Sequence, residues 1–235
     1  MRYAINFTPP ANDPLTLAAS QWLGRNAFSG EAVESPAIRG LDLHEIAFTT
    51  AVPRRYGFHG TLKPPFRLVE GVAEALLLRN LMHFAGQHQP IAFPRLEVAR
   101  MGNRFALMPA APSEALNHLA GAVVQSFDAF RAPLTEAELE RADPGHLSAS
   151  QFANLCRWGH PHVMDEFRFH MTLTGPVMPQ HIQPIEDVLR RYFEPYLDRP
   201  LLMTSLALFV ETEPGAPFVV HSLHPLGSVA SRRSA

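Results

Sequence analysis

Hydrophobic and polar residues alternate over Arg2-Tyr3-Ala4-Ile5 and again over Arg104-Phe105-Ala106-Leu107, the period-two signature of half-buried strands. Each run is followed by prolines and then a helix start. Asp13-Pro14 supplies an N-cap and a first-turn proline for a helix to about Asn26, and Ser113 caps a second helix through about Phe130. Further along, helical spacing covers about Val72 to Gln87 and about His181 to Tyr196. Each helix precedes two strand-like runs. After the first these are about Ile91–Ala99 and Arg104–Met108, split by Gly102-Asn103; after the second, about Leu201–Glu211 and Phe218–Leu223, split by Pro214-Gly215.

The order strand, helix, strand, helix, strand therefore occurs twice, and the strand near Arg104 closes the first unit and opens the second. This predicts an α+β fold and one bilobal domain over 1–235: lobe one about 1–103, lobe two about 104–228, and a tail at 229–235 containing Arg232-Arg233. Residues 28–56 and 131–165 interrupt the repeat before the third element of each unit. Insertions of that length inside a compact domain are expected to be functional loops or lids, and Leu147–Trp158 reads as a helix within the second. Both end at the same kind of strand, so both are placed to roof one cleft.

Those two strands match each other closely. Phe58-His59-Gly60-Thr61-Leu62 and Phe169-His170-Met171-Thr172-Leu173 share His-x-Thr-Leu behind an aromatic, and each has a proline three residues past its leucine, Pro65 and Pro176. Alternation puts His59 and Thr61 on one face and Phe58, Gly60 and Leu62 on the other; the second copy divides identically. Two such strands side by side give two imidazoles and two hydroxyls on one surface. Extending the alternation adds Arg55, Gly57 and Lys63 to the first face, and Glu166, Arg168 and Thr174 to the second. Hydroxyls and cations hold phosphate oxygens and stabilise charge growing on them. An imidazole titrating near neutrality serves as base toward water or as acid toward a leaving oxygen.

Composition narrows the partners. Hydrophobic residues make up 46% of the 235 and charged residues 18%, with a net charge of −2, which suits a folded globule and not a broad electrostatic grip on a nucleic-acid backbone. One cysteine, Cys156, excludes an intramolecular disulfide. With no basic-then-apolar leader at Met1–Phe7 and no membrane-length apolar run, a cytoplasmic protein without membrane partners is expected.

Paired His-x-Thr motifs, one in each half of a duplicated α/β chain, resemble the 2H phosphoesterase superfamily, which includes cyclic nucleotide phosphodiesterases, RNA 2′,5′-ligase-like enzymes and RNA 3′-end processing enzymes. The run Gly159 to Gly175, with Asp165-Glu166-Phe167-Arg168-Phe169-His170-Met171-Thr172-Leu173-Thr174-Gly175, is similar to a narrower branch associated with phosphonate metabolism. The resemblance implies two antiparallel-rich sheets flanking a central cleft, with helices outside. It implies hydrolysis or transfer at a cyclic or small linear phosphodiester without metal or other cofactor. His59 and His170 would be the acid–base pair, and Thr61 and Thr172 would hold phosphate oxygens. The substrate would be a ribose cyclic phosphate, another small phosphoester or nucleotide-like molecule, or an RNA end.

Other residues have weaker claims. Trp158, just ahead of the second motif, is placed to stack on a base or sugar or to anchor the insertion. Lys63, Arg168 and Arg55 are the candidate substrate-binding cations. Tyr56 falls on the Phe58 side and is assigned to the core. Cys156, His160 and His162 have chelating spacing but show no fourth ligand. His44, His83, His88, His118 and His181 follow no pattern and read as surface. Two other classes compete: a metal-dependent hydrolase using the same histidines, and a non-catalytic RNA- or nucleotide-binding module.

Overall fold

The computed structural model describes residues 1–38, 40–93 and 95–227; the predicted tail lies outside them. The first half runs β1 (Arg2–Phe7), α1 (Pro14–Leu23), α2 (Leu43–Tyr56), β2 (Gly60–Phe66), α3 (Glu74–Gly86), β3 (Ile91–Phe93) and β4 (Leu96–Met101). The second runs β5 (Arg104–Pro109), α4 (Glu114–Ser126), α5 (Glu136–Arg141), α6 (Ala149–Trp158), β6 (Met171–Thr172), α7 (Ile182–Leu197), β7 (Leu201–Met203), β8 (Ser205–Glu211) and β9 (Val219–Pro225).

The helix starts follow the capping chemistry. The Asp13 carboxylate accepts from Leu15 N at 2.8 Å, the Ser113 hydroxyl from Leu116 N at 3.3 Å, and Ser148 with Gln151 forms a reciprocal capping box on α6. Gly24 ends α1 at φ +73°, a conformation that favours glycine. The helix α2 falls inside the first insertion, where a loop was expected. Its Thr49-Thr50 pair and internal Pro53 are poor helix formers, and burial of Ile46, Thr49, Thr50 and Pro53 against the domain overrides that preference.

Seven strands form one antiparallel sheet in the order β4-β5-β6-β2-β1-β8-β9, and β3 pairs with β7 in a two-stranded sheet. This corrects the expectation of two facing sheets. At the middle of the sheet β2 joins β6 through a single register pair, Gly60 with Met171. Exchanging each strand of one half for its counterpart (β1 for β5, β2 for β6, β4 for β8) reverses the order of the first six strands, so the repeat is a pseudo-twofold centred between β2 and β6. The halves also interleave: β4 pairs with β5, and β8 pairs with β1.

One face of the sheet feeds the main core, with Tyr3, Ile5 and Phe7 from β1, Phe105 and Leu107 from β5, and α1, α3, α4 and α7 packed over it. Within the two motifs the faces divide as the alternation predicts: Phe58, Leu62, Phe169, Met171 and Leu173 are all buried in that core. Among the described residues no helix is long and apolar enough to cross a membrane.

Candidate functional site

The other face of the sheet lines a cleft of about 800 Å³. His59, Thr61, His170 and Thr172 all line it, brought together because β2 and β6 are antiparallel neighbours. Both insertions reach it, the first through Val52, Pro53 and Tyr56, the second through Leu134, Glu138, Leu155 and His160.

The two histidines are held alike. His59 Nδ1 lies 2.9 Å from Gly57 O, and His170 Nδ1 lies 2.7 Å from Arg168 O. A carbonyl only accepts, so each Nδ1 carries the proton and donates it. In the neutral ring Nε2 is then bare. His59 Nε2 receives the Thr61 hydroxyl at 3.1 Å. Gly57 supplies its carbonyl from φ +76°, where a Cβ would sit 2.5 Å from Ala27 Cβ; glycine meets both demands. The His59 ring has aromatic neighbours, Phe209 at 5.4 Å and Tyr56 at 6.4 Å between centroids. This burial pushes its pKa down to about 4, against the Gly57 hydrogen bond and with the His170 charge.

The sequence-predicted cations separate. Arg168 is exposed and lines the cleft, its guanidinium anchored on Phe167 O at 2.8 Å. Lys63 does not reach it. Ile5 pairs with Lys63 while Asn6 pairs with Thr61, so β2 carries an extra residue, Leu62. This β-bulge reverses the alternation beyond it. Lys63 is 1% exposed, its ammonium 3.3 Å from Val124 O and 3.5 Å from Asp128 Oδ1. Burial there pushes its pKa down to about 8, with the Asp128 charge opposing. Arg55 closes α2 instead of entering a strand, and pairs with Glu211 together with Arg2. Burial pushes the Glu211 carboxyl up, but hydrogen bonds from Arg2, Arg55 and the Gly215 N–H take it down to about 2.

Thr174 was also expected on the cleft face. It is fully buried, and its hydroxyl accepts from Phe105 N at 2.9 Å, because the second strand is regular only over Met171–Thr172. Trp158 ends α6 half-buried, under the Arg157 guanidinium at 4.6 Å, and is not among the cleft-lining residues. Cys156 is exposed.

Three cleft residues escape the sequence reading. Tyr56 lines the cleft and stacks on Phe218 at 5.4 Å; it ends a helix, so strand alternation does not apply to it. His160 lines the cleft from the second insertion, with burial and then its neighbour His162 lowering its pKa to about 4. Asn6 lines the cleft beside Thr61; its parity with Arg2 and Ala4 on β1 was the available signal.

Comparison with known proteins gives relatives at two levels. The chain is 38% identical over 237 aligned positions to a protein of Janthinobacterium sp. (strain Marseille) named ribose 1,5-bisphosphate phosphokinase PhnN, covering 99% of this chain and 52% of that one. It is 35% identical to a protein of the same name in Laribacter hongkongensis (strain HLHK9), covering 93% and 50%. The chain thus spans about half the length of these curated relatives. Among solved structures, TT0787 of Thermus thermophilus aligns at 16% identity with a TM-score of 0.45, covering 96% of this chain and 98% of that one. E. coli LigT complexed with 3′-AMP aligns at 12% and 0.41, covering 96% and 98%. A family model described as a protein of unknown function (DUF1045) matches residues 61–219, from Thr61 through the whole second histidine motif, and the chain belongs to that family.

Proposed function

We propose that this chain is a metal-independent phosphodiesterase that opens a cyclic, or cleaves a small linear, phosphodiester with two histidines. The observation that carries the reading is the pairing of β2 with β6, which turns His59-x-Thr61 and His170-x-Thr172 toward one cleft. Each imidazole is fixed through Nδ1 by a backbone carbonyl two residues upstream, leaving Nε2 for proton transfer.

The roles follow from the surroundings. His59, held neutral by burial, takes a proton from water at Nε2. The hydroxide oxygen attacks phosphorus. The bond to the leaving ester oxygen breaks, and His170, entering the cycle as the imidazolium, donates its Nε2 proton to that oxygen. The products are a phosphate monoester and a free hydroxyl, and solvent exchange returns the proton from His59 to His170. Thr61, whose hydroxyl turns from His59 Nε2 as water takes that place, and Thr172 donate to the non-bridging phosphoryl oxygens, which gain charge in the transition state. Arg168 supplies positive charge at the cleft wall.

The relatives are named for a kinase of ribose 1,5-bisphosphate. This chain has no Gly-x-x-x-x-Gly-Lys-Ser/Thr loop, the phosphate cradle of one large class of kinases, and its sheet is antiparallel throughout. We therefore assign the kinase activity of those relatives to their other half. The substrate here is then a ribose phosphoester in the same metabolism, consistent with the resemblance of Gly159–Gly175 to phosphonate-associated proteins. The test is turnover of 2′,3′-cyclic nucleotides and ribose cyclic phosphates after dialysis against EDTA. Retained activity supports the two-histidine chemistry; loss restored by a divalent metal replaces it with metal-dependent hydrolysis.

A further inference from the structure

The pseudo-twofold sets the two histidine strands alike in the cleft, and the strands beside them differ at a buried position. Asn6 on β1 pairs with Thr61, and Ala106 on β5 pairs with Thr172. Both line the cleft and both are 2% exposed. One half thus presents an amide beside its motif threonine where the other presents a methyl. The Asn6 Oδ1 is buried and has no hydrogen-bond partner. Burying an amide oxygen without a donor is costly, and alanine at the equivalent position avoids that cost within the same sheet. A polar group kept unsatisfied at a cleft wall is the pattern of a group completed by a ligand.

Building on the phosphodiesterase reading, we propose that Asn6 is a specificity residue that hydrogen-bonds a hydroxyl on the alcohol portion of the substrate. The group it lacks is a donor, which a phosphate diester does not offer and a sugar hydroxyl does. A half-turn about χ2 exchanges the two ends of the amide, so the same side chain can also donate to the hydroxyl oxygen. Because only the Thr61 half carries this amide, a polyol phosphoester is held in one of its two orientations, with its hydroxyl-bearing part on the His59 side. The neighbouring ester oxygen is thereby assigned to a fixed histidine, and a single product regioisomer follows. The substrate class becomes a cyclic phosphate of a polyol, as distinct from a bare phosphodiester.

The experiment compares wild type with Asn6→Ala on two cyclic esters, ribose 1,2-cyclic phosphate and ethylene phosphate, the second lacking any free hydroxyl. It also titrates ribose 1-phosphate and ethyl phosphate by phosphorus NMR, which needs no turnover. The variant is expected to lose tenfold or more in kcat/KM on the ribose ester, the order expected when a buried acceptor loses its donor, and less than twofold on ethylene phosphate. Its affinity for ribose 1-phosphate should fall by a similar factor while ethyl phosphate binding is unchanged. Its melting temperature should hold or rise, since the substitution removes an unsatisfied buried amide; a structural role would lower it. Equal losses on both members of a pair, or no loss on either, overturn the assignment. If neither ester is turned over but the binding contrast holds, the reaction fails and the hydroxyl contact stands.

Discussion

Gly60 lies against the ring of Phe169 so closely that a Cβ on it would sit 2.4 Å from two ring carbons. Gly60 is also the residue that pairs with Met171, so this contact sets how near the two histidine strands approach. The motif position that reads glycine in one copy and methionine in the other is therefore not interchangeable. Gly60→Ala should destabilise the fold by roughly 1–3 kcal/mol, the range for overpacking a filled core, and lower activity by spreading β2 from β6. Urea unfolding and initial rates check both. An unchanged midpoint would mean that the Phe169 ring moves aside freely.

Lys63 shows where alternation stops being a guide. The sequence places it on the His59 face, and the bulge at Leu62 turns it into the core against Val124 and Asp128. Lys63→Met should leave kcat/KM within about twofold, as expected for a residue outside the site, and should change stability little, since Asp128 keeps Arg131 at 2.8 Å. A loss of a hundredfold in kcat/KM with the fold intact would return Lys63 to the phosphate.

The hydroxyls are separable from the imidazoles. Thr172→Val keeps shape and removes the donor. It should cost about a hundredfold in kcat with KM nearly unchanged, as for other transition-state donors, and Thr172→Ser should recover most of it. If serine fails to rescue, the threonine methyl, and not its hydroxyl, is what the site uses.

Two cleft imidazoles make stability depend on pH. Burial lowers His59 and His160 to about 4 in the folded chain, from a reference of 6.5. Between those values the unfolded chain binds more protons, so their contribution is complete above about pH 6.5 and is lost as pH falls toward 4. Urea midpoints at pH 7, 5.5 and 4.5 should decline across that window, and His160→Gln should flatten part of the decline. The same slope in the variant would show that His160 titrates normally.

Much of this was legible because two simple rules hold over most of the chain. Asp13 and Ser113 announce helices that form where they stand, and the faces of Phe58–Thr61 and Phe169–Thr172 are those that strand alternation dictates. The rules give out where tertiary contacts decide. The bulge at Leu62 depends on how β2 docks on β1, and local sequence carries no mark of it. Arg55 and Tyr56 sit in a helix whose Thr49, Thr50 and Pro53 argue against one, and burial of that segment prevails. The continuous sheet follows from interleaved halves, with β4 and β8 each joining the opposite half, a choice that two repeated patterns leave open. Asn6 was readable on β1, but its significance rests on Ala106 being its counterpart, which only the register reveals.

Phosphorus NMR of a cyclic phosphate panel, run in excess EDTA with wild type, His59→Ala and His170→Ala, reads the two-histidine reaction itself. Wild type should convert the ester to a monoester, and each variant should lose at least about a hundredfold, with all three chains equally folded. Turnover surviving in either variant, or abolished in wild type by the chelator, would contradict paired histidine acid–base catalysis.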